Sequence, residues 1–74
     1  MKHLRPLITS GEIKTFEQLL SHTTIKEVAK AMGCGPVQVK AITRDHSVMT
    51  LGQLYGLSEA LGLGWRKVSE LFVE

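Results

Sequence analysis

Two amphipathic stripes, separated by four residues that suit no helix interior, constrain this chain more than any other feature in it. Apolar residues fall at Ile25, Val28, Ala29 and Met32, the i, i+3, i+4, i+7 spacing of one helix face. Gly33, Cys34, Gly35 and Pro36 then interrupt the pattern. It resumes at Val39 and Ile42, three apart and therefore on one face of a new helix. Thr24 with Glu27 three residues later has the pattern of a capping box and places the first helix start. Gly33 suits the left-handed position after the last periodic residue, because it has no Cβ to clash. Pro36 suits the first turn of the second helix, where its missing N–H is not needed. The spacing predicts helices over 25–32 and 36–44 joined by a tight turn, a helix-turn-helix arrangement.

The flanking chain continues in helices. Leu4, Leu7 and Ile8 form a short stripe ended by Gly11, and these apolar residues are expected to pack on the core. Lys2 and Arg5 add charge there. Thr15 and Gln18 make a second capping box, with Phe16, Leu19 and Leu20 on the buried side. Thr50 and Gln53 make a third. The helix that follows carries Leu51, Leu54, Ser58 and Leu61 along one face and ends at Gly62. Gly52 and Gly56 each cost about 1 kcal/mol there relative to alanine, and close helix approach is a reason to keep them. Trp65, Val68, Leu71 and Phe72 give a last stripe.

With the pattern Ala29, Gly33, Val39, Ile42 in place, a resemblance follows. The segment resembles the helix-turn-helix of phage repressor and Cro proteins, the Xre-type family. Val28, Met32 and Cys34 also fall where that family keeps apolar side chains. TLGQLYGLSEALGL followed by KVSELF is similar to its fourth and fifth helices, so the likeness covers roughly residues 15 to 72. It implies an all-α, compact five- to six-helix bundle, a lambda-repressor-like helix-turn-helix domain. It also implies that helix 36–44 enters the major groove while helix 25–32 crosses the phosphate backbone. The chain departs from the family at Asp45, where a glycine commonly ends the reading helix, and at Thr43, where an acid is common. Pro36 and Val37 stand where polar contact groups often occur.

Seventy-four residues suit one domain, 1–74, with a short N-terminal helix or arm (1–14), the helix-turn-helix core (24–45) and C-terminal helices (50–74). Net charge is only +2, but its distribution says more: residues 24–44 hold Lys26, Lys30, Lys40 and Arg44 against the single acid Glu27. The expected partner is double-stranded DNA. Val37, Gln38, Lys40, Ala41 and Arg44 are the expected base-reading residues, since Gln pairs with adenine, Lys and Arg with guanine or phosphate, and Val with a thymine methyl. Thr24, Lys26 and Lys30 are expected at phosphates, near the positive end of a helix dipole. In the family the last helix often supplies the dimer contact, which points to Trp65, Val68 and Phe72 and to a homodimer with reading helices roughly 34 Å apart. The same aromatic residues could instead complete the monomer core.

Catalytic and metal chemistry find no constellation. Cys34 reads as a packed thiol, and His3, His22 and His46 have no ligand spacing. No cofactor and no small-molecule ligand is expected. No apolar run approaches the roughly 18 residues of a membrane span, and the first ten residues lack the apolar core of a signal peptide, so the expected compartment is the cytoplasm. The competing function is a protein–protein interaction module, antitoxin-like or a phage accessory subunit, that keeps the scaffold without DNA readout.

Overall fold

Threonine caps set three of the helix starts in the computed structural model, which describes residues 1–73. The described residues form six α-helices: α1 Arg5–Ser10, α2 Phe16–His22, α3 Ile25–Met32, α4 Pro36–Arg44, α5 Leu51–Leu61 and α6 Trp65–Ser69. Short 3-10 turns occupy Lys2–Leu4, His46–Val48 and Glu70–Phe72, and the described residues contain no strand. At α2, Thr15 Oγ1 accepts from the Gln18 N–H at 3.1 Å while Gln18 Oε1 accepts from the Thr15 N–H at 3.3 Å. At α5, Thr50 and Gln53 repeat the exchange at 3.1 and 2.9 Å. Such caps contribute about 1 kcal/mol each by satisfying amides that have no partner within the helix.

The cap of α3 differs from the expected reciprocal box. Thr24 Oγ1 does accept from the Glu27 N–H at 3.1 Å, but the Glu27 carboxylate instead accepts from the Thr23 hydroxyl at 3.0 Å. At the other end Gly33 takes φ 72°, and the Cys34 N–H reaches back to the Ala29 carbonyl at 3.0 Å. This six-to-one closure is a Schellman ending, and it turns the chain sharply into α4. Pro36 occupies the first turn of α4, as its fixed φ favours.

The core lies where α3 packs against both α4 and α5, with α6 packed on α5. Phe16, Leu19, Val28, Val39, Ile42, Leu57, Leu61 and Val68 are wholly buried in it. The N-terminal stripe joins this core as expected: Leu4 and Ile8 are buried and Leu7 packs against them. Ile13, outside every helical stripe, is also buried, held by its own N–H on the Leu7 carbonyl at 3.1 Å. Gly56 lets α5 approach α3 closely. A Cβ at that position would stand 2.5 Å from the Ala31 carbonyl oxygen. Gly52 has no such neighbour.

Two sequence expectations are corrected here. Leu51 is 67% exposed rather than on the buried face, because it opens α5 with no earlier helical turn to cover it. Val68 is 0% exposed and cannot itself contact a second copy. The five-residue α6 turns Val68 inward to close the core against α5 and leaves Trp65 outside. The radius of gyration is 10.7 Å, close to the roughly 11 Å expected of a globule this long.

Candidate nucleic-acid interface

The outward side of α4 follows from its inward side. Val39 and Ile42 are wholly buried, so the opposite face consists of Val37, Lys40, Ala41 and Arg44, at i, i+3, i+4 and i+7. Val37 is 78% exposed, Lys40 and Arg44 are exposed, and Ala41 is partly covered. Among the described residues neither Lys40 nor Arg44 is ion-paired; the two ion pairs found join His46 to Glu17 and Lys67 to Glu70. The result is an unneutralised cationic ridge with an apolar residue at its N-terminal end.

Gln38 is not on that ridge. It lies on the flank, partly buried, and its Nε2 donates to the Val48 carbonyl at 3.2 Å. One amide hydrogen is thereby committed to the protein's own backbone, while Oε1 has no partner among the described residues. No local pattern marks this bond, since Val48 is ten residues away in a stretch without periodicity.

The turn that receives Gln38 is built by Asp45. Its carboxylate accepts from the Ser47 N–H at 3.0 Å and from the Ser47 hydroxyl at 2.6 Å. These two bonds stabilise the ionised form and hold the carboxyl below the ordinary aspartate range, the hydroxyl bond contributing most. Asp45 thus caps the 3-10 turn instead of standing as an unused negative charge beside α4.

His46, assigned no role from sequence, anchors the same turn. Its Nδ1 is 2.9 Å from the Phe72 carbonyl oxygen, and its Nε2 is 3.6 Å from Glu17 Oε1. The ring stands edge-on to Phe16 and Phe72, with centroids 6.5 and 5.3 Å apart. Phe72 in turn tilts onto Phe16 at 4.7 Å. Phe72 is therefore packed against its own chain, away from the exposed aromatic surface.

On α3, Thr24 and Lys26 are exposed at the helix start. Thr24 Oγ1 already accepts a hydrogen bond, which leaves its hydroxyl proton to donate. Lys30 lies one turn along and borders a hollow lined by Met1, Glu27, Ala31 and Ala60, the side of α3 that meets α5. Lys26 is thus the lysine at the dipole-positive end.

Of the three expected dimer residues only Trp65 is well exposed, at 45%. It stands edge-on to Tyr55 at 6.3 Å, and the Arg66 guanidinium lies 5.3 Å over its ring. Tyr55 is 49% exposed, and Leu51 lies one turn before it on α5. Leu51, Tyr55 and Trp65 form an apolar surface distinct from the α4 ridge, one that the expected set missed at two of its three positions.

Cys34 is partly covered in the turn, and burial pushes its thiol pKa up, opposite to the shift of a nucleophilic cysteine. Among the described residues no three His, Cys, Asp or Glu side chains gather as a metal site, and no helix is long and apolar enough to cross a membrane. Comparison of the chain with known protein families, with curated proteins and with solved structures found no match.

Proposed function

We propose that this protein is a sequence-specific DNA-binding regulator that lays the outer face of α4 in the major groove. The observation carrying this reading is the Val37–Lys40–Ala41–Arg44 ridge: four outward residues, two of them cations without an ion pair among the described residues, and no acid in the set. Lys40 and Arg44 donate to guanine edges or phosphate. Thr24 and Lys26 hold a phosphate at the start of α3, where amide N–H groups and the helix dipole favour an anion. Asp45 and His46 act indirectly, by fixing the turn against which Gln38 rests. Selection of bound duplexes from a random pool at two salt concentrations tests this. Enrichment of a defined motif, weakened at high salt, supports it, and recovery of the unselected pool contradicts it.

A second reading is favoured by the Leu51–Tyr55–Trp65 surface. Glu59, one turn beyond Tyr55, and Arg66 place opposite charges near this apolar surface, a pattern that suits pairing with a second copy of the chain. Such pairing serves a DNA-binding dimer or a protein-interaction module equally. Sedimentation of the wild type and of Trp65→Ala separates it from a monomer: a dimer lost in the variant supports pairing, and a monomeric wild type excludes it.

A further inference from the structure

We infer that the N-terminal end of the α4 ridge reads thymine methyl groups, so that the preferred DNA is A·T-bearing at the step facing Val37. The inference rests on the DNA reading above and names the base class it takes.

Val37 is the starting point. It is 78% exposed, and a β-branched residue is a poor choice for the first turn of an exposed helix face, where it gains nothing from packing and loses side-chain freedom. Its neighbours two and five residues on, Val39 and Ile42, are explained by the core; Val37 is not. Val48 is the second apolar residue at this end, 41% exposed. The hydrogen bond that Gln38 Nε2 donates to the Val48 carbonyl holds that residue's backbone against the first turn of α4, and the Asp45 cap and the His46 tie to Phe72 hold the turn itself. Val37 therefore stands at one end of a ridge whose remaining charge is cationic, with the Val48 backbone tied to the flanking Gln38. In the major groove the one apolar group on any base edge is the C5-methyl of thymine. A cytosine–guanine pair supplies no methyl at this end.

The direct test compares alternating A·T duplexes with alternating A·U duplexes of equal length, in competition against a labelled random-sequence duplex. These differ only by the C5-methyl; phosphates and hydrogen-bonding edges are the same. Taking one methyl out of water is worth about a fourfold change in affinity, so the A·T duplex should compete about fourfold or more better. Val37→Ser, which removes both side-chain methyls, should shrink that ratio toward one, and a matched thermal midpoint would show the fold intact. Equal competition by both duplexes overturns methyl reading while DNA binding stands. Absence of binding to the labelled pool overturns the DNA reading and this inference with it. Loss of the ratio in Val37→Ser together with unchanged binding to A·U supports contact between Val37 and the methyl rather than the backbone.

Discussion

The imidazole of His46 holds Phe72 twice, by its Nδ1 at 2.9 Å from the Phe72 carbonyl oxygen and by its ring edge 5.3 Å from the Phe72 ring. That one residue joins the turn after α4 to the C-terminal turn and, through Glu17, to α2. His46→Ala removes a partly buried hydrogen bond and two aromatic contacts. The expected loss is about 1–3 kcal/mol, read as a lower urea midpoint with an unchanged slope. A midpoint equal to wild type would show that the tie holds nothing.

The close approach of α5 to α3 makes two glycines respond in opposite directions. Gly56→Ala sets a Cβ against the Ala31 carbonyl, a backbone atom that cannot rotate aside. Overpacking of about 1–3 kcal/mol outweighs the roughly 1 kcal/mol gained in helix propensity, so the variant is less stable. Gly52→Ala, where the nearest atom is Thr50 Oγ1 at 3.9 Å, keeps that propensity gain and is more stable. Thermal midpoints of the two variants check the sign of each.

Asp45 gives stability a defined acid limit. Its hydrogen bonds to Ser47 lower its folded-state pKa, so the folded chain favours the ionised form more than the unfolded chain does. That contribution is present above the ordinary aspartate pKa of about 4 and is lost as pH falls through the lower folded value. Asp45→Asn has no such titration. The difference in stability between wild type and variant should hold steady from neutral pH down to about 5 and change below about 4. A constant difference across that range would contradict the cap.

Cys34 should be a slow thiol. Burial is the one influence shifting its thiol, and it disfavours the thiolate. At pH 8 its reaction with a disulfide reagent should run slower in the folded protein than in urea, by more than the reagent's own change in rate. A folded-state rate above the unfolded one would assign it a chemistry that the turn does not suggest.

Much of this fold was legible from local chemistry. The threonines at 15, 24 and 50 and the glycines at 11, 33 and 62 act through neighbours within six residues, and sequence carries such signals directly. The outward set on α4 was legible for the same reason: two buried residues three apart fix its rotation. Gln38 was misplaced because its amide is claimed by a carbonyl ten residues away, in a turn with no period. His46 was missed because its partners lie on α2 and in the C-terminal turn, and only tertiary folding brings them together. Val68 read as surface because spacing alone does not say whether a short last helix turns its stripe inward or toward a second copy.

The cationic ridge makes a quantitative prediction about salt. Each lysine or arginine at a phosphate releases counterions, so Lys40→Ala with Arg44→Ala should weaken duplex binding and reduce the slope of log affinity against log salt by up to about 2. Lys30→Ala, on the side of α3 that meets α5, should leave that slope nearly unchanged. Titrations at several salt concentrations separate the two.

The most direct test is residue-resolved: amide and side-chain NMR shifts of the labelled protein during titration with the duplex selected from a random pool, at moderate salt. The account predicts saturable shifts at Val37, Lys40, Ala41 and Arg44 and at the start of α3, with Tyr55 and Trp65 no more perturbed than a two-fold contact requires. Shifts confined to Leu51, Tyr55 and Trp65, or none at any duplex concentration, would contradict it.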